Sequence, residues 1–378
     1  MSDSGESSGS ATITPPGTPV PRYEKKAKSF DNIATKEFSR MIYASNTLEN
    51  TGLSLEDTTR LCELVFRDEK VPETYNEEKL LEEQRQKEEE EAQWTVIKWI
   101  ISAQEYFSGT VEGDNGAELT VEVDERREDK QARREVIQHA RAWKYLLERF
   151  CIGEEELSVN LIKNTHTVLC AGYELEDCDE EWWQWSGVFR KTDNIGPETL
   201  QQTCRSSRRK KSRGRDGSRT PTQRSYGRSK RGRTPPLYIR ASAIENYMDY
   251  AMSDFRRLRG VESMYGINGY CDLAAWLQGI IMTVWPFRAE NSKLARLFMN
   301  GVLWRYCGIV IPLGEGKKEK DEYLEILRRG TEIFHGGEFS VPVEEQKGYE
   351  ELALVVRKKA AEAKKRIKES MRWKWRWT

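Results

Sequence analysis

The feature that most constrains the fold is a nearly unbroken apolar run, residues 273–287, in a chain that is otherwise strongly charged. The run is 15 residues long and contains Gln278. A helix that spans a bilayer needs about 20 apolar residues, so this run is too short to cross a membrane. It predicts instead a helix buried in the core of a protein.

Elsewhere apolar residues recur at three- and four-residue spacing, which is typical of helices with one buried face. Two helices are predicted within residues 35–67, separated by a turn at 50–52, with Ser54 as the N-cap of the second. Further helices are predicted over residues 130–150, 154–171, 242–258, 270–284, 291–307, 320–334 and 344–373. The alternating pattern of strands is nearly absent, apart from residues 182–191, where aromatic and branched side chains surround Gly187 and predict a short β-hairpin. The fold class is therefore all-α with a small β element.

The net charge of −1 conceals a strongly basic segment, residues 205–233, which holds 13 lysines and arginines and a single acidic residue, Asp216. The segment contains one aromatic residue, Tyr226, and no aliphatic residue larger than glycine. Such a composition cannot bury a core, so a disordered loop is predicted. Three interpretations stay open: a solvated loop without a partner, a nuclear-localisation signal, and a contact surface for RNA or DNA.

Cysteine and histidine usage argues against a metal centre. The chain has seven cysteines without a Cys-x-x-Cys pair and only three histidines, so neither a zinc site nor a disulfide framework is expected. No secretory signal or transmembrane segment is visible in the sequence. Residues 1–34 are predicted to be a disordered tail, residues 336–378 a basic C-terminal helix, and the localisation cytoplasmic or nuclear.

Four segments, in order along the chain, resemble the Fic (fido) family. Residues 285–296, Trp-Pro-Phe-Arg-Ala-Glu-Asn-Ser-Lys-Leu-Ala-Arg, are similar to the family motif His-Pro-Phe-x-(Asp/Glu)-Gly-Asn-Gly-Arg-x-x-Arg. Residues 45–50 are similar to the inhibitory motif (Ser/Thr)-x-x-x-Glu-(Gly/Asn), with Ser45, Glu49 and Asn50 at its defined positions. Residues 161–166 resemble the first core helix, and residues 186–190 resemble the Gly-x-x-Arg stretch before the target-docking flap, with Gly187 and Arg190.

The resemblance implies a role for each motif position, and most of these roles are lost here. In the family the motif histidine is the base for transfer of AMP from ATP to a Ser, Thr or Tyr hydroxyl, but Trp285 carries no titratable nitrogen near neutral pH. The position that holds Mg²⁺ is Ala289, which offers no side-chain oxygen. Glu290 replaces a glycine, and the remaining nucleotide-binding positions are Asn291, Ser292, Lys293 and Arg296.

The retained pair of Glu49 and Arg296 is expected to form a salt bridge, because in relatives with an inhibitory helix the two side chains meet. The resemblance also divides the chain into an N-terminal helical region, 35–150, which contains the inhibitory helix, and a Fic-type core, 151–335, into which the basic segment is inserted.

The sequence thus favours a Fic-type protein that has lost or severely weakened AMP transfer and acts through an unknown protein partner. No cofactor is expected, with ATP and Mg²⁺ relevant only if activity remains. Two alternatives stay open. The first is an active AMP-transferase with a remodelled nucleotide site, and the second is a nucleic-acid-associated protein that uses residues 205–233.

Overall fold

The computed structural model describes residues 22–72, 127–173, 180–193, 239–336 and 348–375. These residues form ten α-helices and no β-strand, which confirms the all-α prediction for this part of the chain. The helices are α1 Arg22–Leu48, α2 Leu55–Phe66, α3 Arg127–Leu146, α4 Val159–Leu169, α5 Trp182–Trp185, α6 Ile244–Glu262, α7 Ile267–Val284, α8 Asn291–Cys307, α9 Lys317–Gly336 and α10 Glu350–Trp375. A π-helical turn, Leu147–Ile152, extends α3.

The predicted hairpin over residues 182–191 is wrong. The first part of this stretch is the short helix α5, whose start is fixed by a capping box between Glu181 and Gln184. Gly187 then turns the chain at φ +68°, and Trp185 is buried at 4% exposure. The capped turn and the burial of Trp185 override the weak β propensity of the aromatic residues in this stretch.

The apolar run forms α7, the central helix of the molecule. Helices α6, α8, α9 and α10 all pack against it, so nearly its whole circumference is buried, in agreement with a sequence that is apolar on every side. Its amide, Gln278, is fully buried and donates a hydrogen bond to the hydroxyl of Tyr323 on α9. Helix α8 begins and ends where the sequence predicts, and it packs along α7 as expected.

The N-terminal helices have the predicted arrangement with one shifted boundary. Ser54 caps α2 by accepting from the backbone N–H of Asp57, and Asn50 and Gly52 both have positive φ in the turn before it. Helix α1, however, already begins at Arg22, within the predicted disordered tail. The side chain of Ile33 is buried, at 8% exposure, so the end of that tail belongs to the packed structure.

One continuous hydrophobic core joins the predicted regions, from Phe38 on α1 to Ala363 on α10. No helix in the described part of the chain is long and apolar enough to cross a bilayer. The remaining sequence predictions concern residues 1–21, the basic segment 205–233 and the last three residues. They lie outside the described residues.

Candidate functional site

The loop between α7 and α8, residues 285–290, begins at a strained position. Trp285 ends α7 in the left-handed region, at φ 48° and ψ 60°, while its backbone N–H still donates to the Ile281 carbonyl at 3.0 Å. Left-handed backbone is uncommon for a bulky residue. The indole is 4% exposed, so its packing holds the chain in this conformation and turns it sharply out of the helix.

Arg190, which lies in the segment that follows α5, stabilises this turn through hydrogen bonds. Its guanidinium donates to the carbonyls of Trp285 and Thr192, both at 2.8 Å, and also to that of Ile239. Its backbone N–H donates to the Pro286 carbonyl at 2.9 Å. The structure therefore brings the predicted Gly-x-x-Arg stretch directly against the motif loop, where Arg190 acts on the loop backbone.

His166, a fully buried residue of α4, supports the loop from beneath. Its ring stacks on Phe287 at 3.9 Å between centroids, with 10° between the planes. The backbone N–H of Gly187 donates to Nδ1 at 2.9 Å, so the proton sits on Nε2, which donates to the Ala289 carbonyl at 3.0 Å. Burial lowers the pKa of His166 to about 4, although the bond to Ala289 opposes that shift.

Asn291 closes the loop from the first turn of α8. Its Oδ1 accepts from the Phe287 N–H at 2.9 Å, and its Nδ2 donates to the Phe287 carbonyl at 2.8 Å. The side chain is fully buried. Asn291 therefore shapes the loop through both faces of its amide. Ser292, next along the helix, is half-buried.

Lys293 lies in a buried cluster with two carboxylates. Its Nζ is 3.0 Å from Glu135 Oε2 on α3 and 3.0 Å from Glu290 Oε2, and the three side chains are only 3%, 6% and 11% exposed. Burial alone would lower the pKa of Lys293, but Glu290 and Glu135 raise it above its ordinary value. Sequence reasoning missed Glu135, since nothing in its local pattern shows that it faces a residue 158 positions away.

Arg296 contacts Ser45 and Glu49 at the end of α1, and the predicted salt bridge with Glu49 is present. Its Nε donates to Ser45 Oγ at 2.7 Å, and its Nη2 donates to the Ser45 carbonyl at 3.1 Å and to Glu49 Oε1 at 2.7 Å. Burial would raise the pKa of Glu49, but the charges of Arg296 and Lys293 outweigh it and lower that pKa. Asn50 does not reach this cluster: its Oδ1 accepts from Lys320 Nζ on α9 at 2.7 Å.

No family model matches the chain, and no curated protein matches it in sequence. Among solved structures, the chain is similar to a Fic domain containing signaling protein from Bacteroides thetaiotaomicron, with 13% identity over 91% of both chains and a TM-score of 0.51. The chain has the Fic fold. Two further structures are less similar. A Fic family protein from Desulfovibrio desulfuricans has 12% identity and a TM-score of 0.44, and the match covers 93% of this chain and 76% of that one. Fic-1 from C. elegans has 13% identity and a TM-score of 0.43, and the match covers 93% of this chain and 74% of that one.

The motif region of this Fic fold does not fit ATP with Mg²⁺. Three carboxylates, Glu49, Glu135 and Glu290, stand against two cations, Lys293 and Arg296. A polyphosphate would meet an excess of negative charge, and each cation is already engaged by a carboxylate. Ala289 offers a metal only its backbone carbonyl, which already accepts from His166.

Proposed function

We propose that the chain is a member of the Fic (fido) family that has lost AMP transfer and works as a binding protein. One observation carries this proposal: the two cations at the nucleotide-binding positions, Lys293 and Arg296, are paired with three carboxylates, two of which occupy positions where nothing in the resemblance calls for an acid. At about 5 Å and an effective dielectric of ~20, each uncompensated charge repels a phosphate charge by roughly 3 kcal/mol.

The missing base supports the same conclusion. Trp285 cannot accept a proton from a hydroxyl, and the loss of a positioned base costs about 10²–10⁴-fold in rate. His166 uses both ring nitrogens to hold the loop, and His139 is fully buried against Asn46, with a pKa well below its ordinary value because of that burial. Neither histidine can replace the motif base without dismantling the site.

The retained inhibitory segment acquires a structural role in this proposal. In an active enzyme the contact of Glu49 with Arg296 competes with nucleotide. In this proposal nucleotide does not compete for Arg296, so the contact serves to hold α1 to the core.

The proposal is tested by ATP titration calorimetry with and without Mg²⁺ and by transfer of radiolabel from the α-phosphate of ATP. We expect neither binding nor transfer for the wild-type chain, and no transfer after Glu49→Gly, a change that would release an autoinhibited enzyme. An active Fic protein with the matching glutamate change serves as the assay control. Mg²⁺-dependent labelling of this chain or of a target protein would refute the proposal and favour a remodelled AMP-transferase.

A further inference from the structure

Beside the motif loop lies a cavity of about 160 Å³, whose lining includes Lys293 and its two carboxylate partners. Helix α3, the end of α4 and the start of α8 enclose it. One water needs only about 10–15 Å³ of such space, so the cavity accommodates a molecule of several heavy atoms. The cavity has a buried floor, a mouth that opens to solvent and a wall between them, and these three parts differ in chemistry.

The floor is the buried cluster of Glu135, Glu290 and Lys293. Two carboxylates share one ammonium group, so the floor carries one negative charge that no cation in the cluster balances. Among the described residues, the hydrogen bond that Glu135 Oε1 accepts is a long one, 3.4 Å from Gln131 Nε2. The pKa of Glu290 is raised, first by burial and then by Glu135, with Lys293 opposing the shift only in part. Burial and a neighbouring carboxylate both disfavour the charged form of Glu290, and a second cation or N–H donor would offset that effect.

The mouth carries the opposite charge. Lys130 and Arg134 lie one turn apart on α3, line the cavity and are both exposed. Arg134 Nη1 donates to the Gly172 carbonyl at 2.7 Å, which holds the guanidinium at the entrance. Between mouth and floor, Leu169, Ala171 and Tyr173 form an apolar and aromatic wall on one side, and Gln131 and Gln138 also line the cavity.

We propose that this cavity binds a small zwitterion whose ammonium group meets the carboxylates of the floor and whose carboxylate meets Arg134 and Lys130. The negative floor and the positive mouth together favour a ligand that carries both a positive and a negative charge. A simple amine must pass two cations at the mouth, and a simple carboxylate finds an excess of negative charge at the floor. The apolar wall suits the methylene chain of an amino acid that carries its charges at opposite ends.

The experiment is a calorimetric titration of the full chain with glycine, β-alanine, γ-aminobutyrate and ε-aminocaproate at constant ionic strength. Butylamine and butyrate provide the two single charges on a chain of matched length. We expect one-to-one, saturable binding of at least one zwitterion, about tenfold or more tighter than either single-charge compound, because each charge-assisted contact contributes about 1.5 kcal/mol or more.

Two variants locate the site. Arg134→Gln, at an exposed position, is expected to weaken binding about tenfold without unfolding the protein, and Glu290→Gln to weaken it at least as much. Arg149→Gln removes an arginine from an exposed ion pair with Glu155 and is the matched control, with unchanged affinity. Circular dichroism establishes that each variant is folded.

Three results would overturn the proposal: no saturable binding of any zwitterion by the folded wild-type chain, butylamine or butyrate binding as tightly as the best zwitterion, or affinity that is unaffected by Arg134→Gln. None of these results bears on AMP transfer, which is measured separately with ATP.

Discussion

At the scale of single residues, the environments of Arg296 and Glu49 are unequal. The Arg296 side chain is 3% exposed and that of Glu49 is 36% exposed. Arg296 also bonds to Ser45 through two further contacts. A buried charge that loses its partner costs several kcal/mol, whereas an exposed ion pair contributes about 0–1 kcal/mol. Because Arg296 is buried and Glu49 is partly exposed, the contribution of this pair to stability should lie between these two values.

A double-mutant cycle of Glu49→Gln and Arg296→Gln measures the pair. We expect a coupling free energy of about 1–2 kcal/mol in urea unfolding. Arg296→Gln should be the more destabilising single change, because it also removes the contacts with Ser45. Coupling near zero would mean that apolar packing alone holds α1 and that the two charges contribute nothing to its attachment.

His166 makes the stability depend on pH. Its pKa is about 4 in the folded protein against an ordinary value of 6.5, so between these values the unfolded chain binds a proton that the folded chain does not. Stability is therefore full above about pH 6.5 and falls as the pH drops, by about 1.4 kcal/mol per pH unit for this group.

From pH 7 to pH 5 the wild-type chain should lose about 2 kcal/mol of unfolding free energy through His166, together with a loss through His139, whose pKa is also lowered by burial. His166→Asn should be less stable at pH 7 and lose less between the two pH values. Urea unfolding at both pH values checks this. Equal pH slopes for the variant and the wild type would show that His166 is not the neutral, buried group described above.

At the scale of elements, the turn after α5 depends on a glycine. Gly187 has φ +68°, and a Cβ there would lie 2.3 Å from Thr167 Oγ1 and 3.0 Å from the Lys163 carbonyl. The same residue donates the bond that fixes the His166 tautomer. Gly187 thus connects the turn after α5 with helix α4 and the motif loop.

We expect Gly187→Ala to destabilise the protein by about 2–4 kcal/mol, from left-handed backbone strain and the close contact together. Gly308→Ala is the matched control. It has φ +65° but open space around the added Cβ, so it should cost only the backbone strain of about 1–2 kcal/mol. Thermal or urea unfolding separates the two. Equal losses of stability for both variants would mean that the close contacts of the added Cβ with Thr167 and Lys163 contribute little.

At the scale of the whole molecule, α1 is attached to the core along much of its length. Met41, Ile42 and Ala44 are at most 1% exposed. Polar contacts join α1 to distant elements: Arg40 Nη2 to Glu315 at 3.0 Å, Glu37 to Arg366 on α10 at 2.9 Å, and the Thr47 carbonyl to Lys320 at 2.9 Å. The contact with Arg296 is one attachment among several.

Glu49→Gly is therefore expected to leave α1 in place. Amide hydrogen exchange within residues 38–44 should stay slow and close to wild type, because local opening of this segment would expose fully buried side chains. Phe38→Ala is a comparison variant in which a 7% exposed aromatic ring is removed from the core, and exchange should accelerate there. Fast exchange in Glu49→Gly would show that the single ion pair controls the attachment of α1.

Limited proteolysis tests the predicted disorder of residues 205–233. With 13 lysines and arginines and only one aromatic residue, Tyr226, in this segment, trypsin should cleave here before it cleaves the packed helices. Edman or mass analysis of the first fragments locates the cut. Protection of this segment would contradict the prediction from composition.

The sequence by itself determined features that depend on local chemistry. Periodicity and length identified α7 and α8, and a serine with acids after it identified the start of α2. The contact between Glu49 and Arg296 followed from the resemblance to the Fic (fido) motifs and not from a local pattern. Only the tertiary structure decided which distant groups meet. It placed Glu135 against Lys293, set His166 under the loop, and made residues 182–185 helical, because burial and pairing between segments far apart in the chain leave no pattern in either segment alone.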